Sequence, residues 1–254
     1  MGLMIESNSN KKIKELAALQ RSKKERTQAG LFVLEGDRII RDAISTRKEL
    51  VDTVYVSATY ASEKGLPTEN SVIVADSVLK HACETVNDQG ILATVREEPL
   101  IRHEDELMSE DNVLVLEDIQ DPGNLGTIIR TAEAAGVGAV IMSSGTVDIF
   151  SPKVVRSTMG SLLRVPFTYS ADIEKTIVNL KDSGHTVYAA HLKGASDMRK
   201  TPFLPRRAII IGNEGRGISD PVADLADVRV FIPMQGEVES LNAAVAAAIL
   251  MYHT

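Results

Sequence analysis

The sequence predicts an α/β protein in two parts, a smaller α/β domain over residues 1–95 and a larger domain over 112–254 built on a mostly parallel sheet. Three observations carry this. Short apolar runs alternate with helix-like stretches along the whole chain. In the second part the runs are continuous, as in Asn112-Val113-Leu114-Val115-Leu116 and Ile209-Ile210-Ile211, the pattern of strands buried on both faces. Between the parts, residues 96–111 change character: Arg96-Glu97-Glu98-Pro99 and Glu104-Asp105-Glu106 offer little to bury and read as an interdomain linker.

Element by element, residues 11–28 read as a helix with Ile13, Leu16, Ala17 and Gln20 on one side. Leu31–Leu34 is a strand, broken by Glu35-Gly36-Asp37, with a helix following to about Arg47. Strands at 51–56 and 71–74, a helix from Asp76 through Val86 and a strand at 91–95 complete the first part. The second part runs strand 112–116, helix 125–135, strand 139–142, helix 152–163, strand 165–168, helix 172–183 and strand 186–190. It closes with strand 208–211, a helical turn at 219–225, strand 228–232 and a helix from 241 onward.

Composition narrows the function classes. With 254 residues and 44% hydrophobic content the chain can bury sizeable cores. A single cysteine, Cys83, excludes an intrachain disulfide, and a cytoplasmic location is expected. Glu6 closes the short run Met1–Ile5, so no secretory signal is expected, and it stands where a myristoylation signal needs Ser or Thr. The longest strongly apolar run, Ala243–Tyr252, is too short to span a membrane. No metal site is expected. The net charge of −7 argues against nucleic acid until its distribution is read. Residues 1–28 hold seven cations against three anions, a local +4 that leaves −11 on the remainder. Such a helix either meets phosphates or is simply a solvated face.

Three segments can carry chemistry. In Asp121–Arg130, Asn124 sits where an N-cap belongs after a Pro-Gly turn, and Leu125, Ile128, Ile129 and Ala132 make a buried stripe that points Arg130 away from the core. Ligands in open α/β sheets bind at the carboxyl ends of strands, which is where such a helix begins. In Ile209–Gly217, a buried strand runs into Gly212, Gly215 and Gly217, whose bare backbone can approach a ligand. The spacing is neither the dinucleotide fingerprint nor a P-loop. In Val230–Asn242, a strand ends at Pro233, a polar loop follows and Ser240 is the expected cap of the last helix. Leu241, Ala244, Val245, Ala248, Ile249 and Tyr252 are its expected buried face.

In this order the segments resemble the three motifs of the SpoU (TrmH) family of RNA ribose 2′-O-methyltransferases. Motif one falls on Asn124, Gly126 and Arg130, motif two on Gly212, Glu214 and Gly215, and motif three on Ile232, Pro233, Ser240, Leu241 and Asn242. Ser151–Gly160 is similar to the family's stretch between the first two motifs, and Ala243 departs from a common valine. The first part resembles, more loosely, the ribosomal-protein-like substrate-binding domain of many members, through its basic helix and Glu35-Gly36 after Leu-Phe-Val-Leu.

The resemblance implies a SPOUT-type domain with a deep trefoil knot, S-adenosylmethionine as methyl donor, RNA as substrate and a homodimer through the knot domain. Cofactor contacts would come from Gly212, Ile232, Met234, Ser240 and Leu241. Arg130, Asn124, Glu214 and Asn242 would carry the chemistry. A guanidinium is a poor base, so Arg130 is expected to hold an RNA phosphate and stabilise the developing alkoxide, while the phosphate or Glu214 relays the proton. Lys11, Lys12, Arg21, Lys23, Lys24, Arg26 and Arg156 would meet RNA. Ribosomal RNA, with guanosine as target, is favoured. The alternatives are transfer RNA, or a non-catalytic RNA-binding protein that keeps the fold. An ordinary doubly wound nucleotide-binding enzyme is disfavoured, because Glu117-Asp118-Ile119-Gln120-Asp121-Pro122 follows the first strand of the second part where a Gly-rich turn would be needed.

Overall fold

The computed structural model describes residues 4–253; the readings of Met1 and Gly2 lie outside them. The chain forms two compact units. One holds the residues up to Leu100 together with Asp148–Leu163, and the other holds Ile101–Val147 and the residues from Arg164 onward.

In the first unit, helices α1 (Lys11–Arg21) and α2 (Lys23–Ala29) precede strand β1 (Leu31–Glu35) and helix α3 (Asp37–Thr46). Then come β2 (Val51–Ser57), α4 (Ala58–Lys64), β3 (Val72–Val74), α5 (Asp76–Ala82) and β4 (Ile91–Arg96). The sheet order is β1-β4-β2-β3, antiparallel except for the β2/β3 pair. Ile13, Leu16 and Leu19 of α1 pack with Val33, Tyr55, Leu92, Val78 and Leu79. Each such side chain, fully buried, contributes about 1.5–3 kcal/mol.

The helix expected over 11–28 is interrupted at Ser22, which ends α1 in extended backbone and caps α2 by accepting from the Glu25 amide. The helix expected to reach Val86 stops at Ala82, because the main chain beyond it bonds to Glu35 instead. Helix α4, capped by Ser57, was not expected.

The second unit opens on α6 (Glu104–Leu107) and continues with β5 (Asn112–Leu116), α7 (Pro122–Ala134) and β6 (Ala139–Ser143). Helix α8 (Pro152–Thr158) belongs to the first unit, where it packs on β1. It is shorter than expected, since Met159 takes a left-handed conformation (φ 51°) that ends it. Back in the second unit follow β7 (Phe167–Ser170), α9 (Ile173–Asp182), β8 (Thr186–Ala190), β9 (Ser196–Asp197), β10 (Arg207–Ile211), α10 (Asp220–Leu225), β11 (Val228–Phe231) and α11 (Ala243–Met251). Segment 96–111 buries more than its charge suggests: Leu100 and Leu107 are both enclosed.

All seven strands of the second sheet run parallel, in the order β7-β6-β5-β10-β8-β11-β9. The chain winds outward from β5 through β6 to β7, then crosses to the other side. The strand order therefore reverses between β5 and β10, which pair as Ile209↔Leu114 and Ile211↔Leu116. The crevice beyond their carboxyl ends is where a parallel sheet offers a ligand site.

Helix α11 packs on α7 and β10 through Ala244, Ala247, Leu250 and Met251. The face expected from sequence is corrected: Val245 is 47% exposed and Tyr252 60%. A helix apolar all round carries no phase, so only its neighbours select the buried side.

Candidate functional site

Strands β5 and β10 end side by side, and side chains bond the loops that leave them, Glu214 making the most such bonds. The Glu214 carboxylate accepts from the Gln120 amide at 3.0 Å, the Asp121 amide at 2.9 Å and the Asn124 side-chain amide at 3.0 Å. Asn124 in turn accepts from the Asn242 Nδ2 at 2.9 Å. One hydrogen-bonded chain thus links the loop after β10, the start of α7 and the start of α11. Partial burial pushes the Glu214 carboxyl up, but Asn124 and the Asp121 and Gln120 amides outweigh it, and the net direction is down. Glu214 is therefore an anion at neutral pH, with three N–H donors on its oxygens.

Two expected caps move. Asp121, not Asn124, is the N-cap of α7: its Oδ1 accepts from the Asn124 main-chain amide at 2.8 Å, with Pro122 in the first turn. This leaves the Asn124 side chain to bridge Glu214 and Asn242. Asn242, not Ser240, caps α11, and its Oδ1 accepts from Ala244 at 2.9 Å and Val245 at 3.3 Å. Each Asn242 side-chain atom has a separate task, the oxygen on its own helix and the nitrogen on Asn124.

The loop 212–217 folds on itself. Asn213 and Gly217 exchange both main-chain hydrogen bonds, and the Asn213 side chain holds the Gly215 and Arg216 amides and the Asp118 carbonyl. A Cβ on Gly212 would stand 2.3 Å from the Gly217 carbonyl carbon and from the Ile218 nitrogen, so only glycine permits this closure. By contrast, the main chain from 232 to 241 makes no hydrogen bond within the chain among the described residues. Ile232, Met234 and Leu241 are half-buried there and Ser240 is exposed.

Arg130 lies on the exposed side of α7 and forms no ion pair or hydrogen bond among the described residues. It stands about 120° around the helix from Asn124. Of the expected RNA-contacting cations, Lys11, Lys12, Arg21, Lys23 and Lys24 are exposed and Arg156 is half-buried. Arg26 is corrected. It is 4% exposed, its Nη2 meets Asp148 at 2.6 Å and its Nη1 donates to the Leu19 carbonyl at 2.6 Å, so this guanidinium is committed to the interior.

Sequence reasoning missed Asp121 and Glu117. The Glu117 carboxylate accepts from the Ser219 amide at 2.9 Å and its hydroxyl at 2.6 Å, ahead of α10. The available signal was a carboxylate immediately beyond a buried strand. Asp118 (φ 56°) packs against Gly145, where a Cβ would stand 2.2 Å from its Oδ1. Among the described residues no group of His, Cys, Asp and Glu could hold a metal ion.

Comparison with known proteins gives the family. Residues 111–252 match the SpoU rRNA methylase family, and residues 10–93 match the MRM3-like substrate binding domain. The chain is 35% identical over 250 residues to the 23S rRNA (guanosine(2553)-2′-O)-methyltransferase RlmP of Bacillus subtilis, covering 98% of each. It is 32% identical to an uncharacterized tRNA/rRNA methyltransferase of Synechocystis, covering 98% of this chain and 92% of the relative. Among solved structures, the AdoMet-bound rRNA methyltransferase from Sinorhizobium meliloti superposes with a TM-score of 0.85 at 29% identity, over 98% of this chain and 96% of that one. AviRb, a SpoU methyltransferase from Streptomyces viridochromogenes, gives 0.80 at 28% identity, over 96% and 95%. With motif residues from all three segments joined through Glu214, Asn124 and Asn242, the chain belongs to the SpoU family of RNA methyltransferases and carries an N-terminal substrate-binding domain.

Proposed function

We propose that the protein transfers a methyl group from S-adenosylmethionine to the ribose 2′-hydroxyl of a guanosine in 23S ribosomal RNA. The observation that carries this is the bonded chain Glu214–Asn124–Asn242 at the carboxyl ends of β5 and β10. The B. subtilis relative's name and the AdoMet-bound S. meliloti structure support substrate and donor.

The chain's residues fit the donor. The main chain of 232–241, unbonded among the described residues, offers donors and acceptors to an adenine and a ribose. Gly212, Ile232, Met234, Ser240 and Leu241 are the positions assigned to hold it. When bound, S-adenosylmethionine supplies an electrophilic methyl on a sulfonium.

The remaining work falls to side chains. Arg130, without an ion pair or hydrogen bond among the described residues, binds the RNA phosphate beside the target and stabilises the alkoxide as it develops. Asn124 and Asn242 position the nucleotide. Glu214, with its oxygens already holding three N–H groups, acts as a positioning residue, and the proton passes to the phosphate or to water. Lys11, Lys12, Arg21, Lys23 and Lys24 supply sequence-independent phosphate contacts. A trefoil-knotted catalytic domain and a homodimer complete the reading; the exposed Val245 and Tyr252 on α11 suit a second copy. A cytoplasmic location belongs to the same reading, supported by the single cysteine, Cys83.

The test offers tritiated S-adenosylmethionine with ribosomal RNA or transfer RNA from a strain lacking the gene. Label in 23S RNA is the expected result. Label confined to transfer RNA would overturn the substrate, and a protein that neither binds the donor nor transfers label to any RNA would overturn the enzyme.

A further inference from the structure

The first unit carries a half-open cavity of about 240 Å³ that the reaction above does not use. Four elements line it: the end of β1, the first turn of α3, the loop between α5 and β4, and the end of α8. The last of these comes from the stretch between motifs one and two, far along the chain.

Its walls are pinned before any ligand arrives. The Glu35 carboxylate accepts from the Glu84 and Thr85 amides at 3.1 Å each, from the Thr85 hydroxyl and from the Gln20 side chain at 3.3 Å. That holds one end of the loop. Gln89 holds the other, its carbonyl accepting from the Asp37 amide at 2.8 Å. This fixes the Gln89 carboxamide and leaves its Nε2 as an unused donor among the described residues.

The chemistry of the lining is specific. Arg38 is exposed, with no ion pair among the described residues. Arg156 is half-buried, and its Nη1 is shut off from solvent with no hydrogen-bond partner. A buried guanidinium N–H without an acceptor is costly, and an anion held by the rest of this guanidinium would offset part of that cost. Glu35 is the carboxylate in the lining, and its oxygens are taken by the loop. Ile39 and Met159 add apolar surface. Two guanidiniums, an oriented amide donor and apolar flanks suit a phosphate joined to a flat base with acceptor edges. Proteins read single-stranded RNA in this way, while a base held in a duplex cannot enter such a cavity.

We propose that this cavity takes one unpaired nucleotide of the RNA substrate, other than the methylated one. Arg38 and Arg156 hold its phosphate and Gln89 its base edge, so that the enzyme selects a bulge or loop as well as a target. The inference rests on the reading that the protein methylates RNA.

The test uses the full-length protein and transcribed 23S RNA. Arg38→Gln with Arg156→Gln should raise KM for RNA at least ~10-fold. The kcat at saturating RNA and the affinity for S-adenosylmethionine should stay within about twofold, and Arg156→Lys should recover part of the loss. In a Cys83→Ser background, Met159→Cys carrying a photo-crosslinker should attach to one unpaired nucleotide. Unchanged KM in the double variant, or crosslinks scattered over duplex RNA, would overturn the proposal. So would loss of cofactor binding together with activity, which marks a structural role; Arg38→Gln alone, at an exposed position, repeats the KM test without that risk. A free nucleoside 5′-monophosphate that binds tightly without altering RNA turnover would reassign the cavity to a small molecule. If the wild-type protein methylates no RNA, the functional reading fails first, and the two failures are distinguishable.

Discussion

The loops 212–217 and 232–241 both leave carboxyl ends of parallel strands, β10 and β11, yet they use their main chains in opposite ways. The first closes on itself through Asn213 and Gly217 and is tied to α7 by Glu214. The second makes no backbone hydrogen bond among the described residues. The same contrast separates two helical arginines: Arg26 is buried with its charge paired, and Arg130 is exposed with none. On the proposed reading, the bonded loop and Arg26 belong to the frame, and the open loop and Arg130 face ligands.

The contrast breaks hardest at Arg26. Arg26→Ala leaves Asp148 without its partner in a shielded place and should cost about 3–5 kcal/mol, read by urea unfolding. Methyl transfer per folded molecule should be unchanged. Arg130→Ala should do the reverse, with unfolding unchanged and single-turnover methyl transfer reduced about 10²–10³-fold. Calorimetry should find cofactor affinity nearly intact in that variant.

Gly212→Ala probes the frame itself. The added methyl meets backbone, so the loop must open, at about 1–3 kcal/mol of stability. Cofactor affinity should fall with it, whereas Gln235→Ala in the open loop should leave stability unaltered.

Glu97 sharpens the comparison, because here the interior is incompletely satisfied. Its carboxyl is pushed up to about 7, first by burial and then by Asp148, with Arg26 and Lys23 pulling it back. The folded chain therefore retains a proton that the unfolded chain releases at the ordinary carboxylate value. This contribution to stability is intact below that value and is lost as pH rises through about 7. Glu97→Gln should raise Tm by a few degrees at pH 8 and by little at pH 5. The smallest effect is expected at the open surface, where Lys11→Gln with Lys12→Gln should lower the salt slope of RNA binding by about two.

How much of this was legible in the sequence differs residue by residue. Asn124, Glu214 and Asn242 could be singled out because polar side chains stood beside glycines or caps at strand ends, in a recognisable order. Their bonding could not be read: Asp121 fits the N-cap of α7 as well as Asn124 does, and only the proximity of Glu214 decides between them. The parallel sheet was legible from unbroken runs such as Val113–Leu116. The phase of α11 was not, because its residues are apolar on every side. Arg26 reads as one cation among seven, since its partner Asp148 lies 122 residues away in sequence. The cavity beside Glu35 was hidden for the same reason, as Arg156 reaches it from the far half of the chain.

The most direct test of the account is where the methyl group lands. Labelled 23S RNA, digested with alkali, should yield one radioactive dinucleotide resistant to cleavage, with 2′-O-methylguanosine on its 5′ side. Label released as a methylated base in an alkali-sensitive mononucleotide would contradict the account.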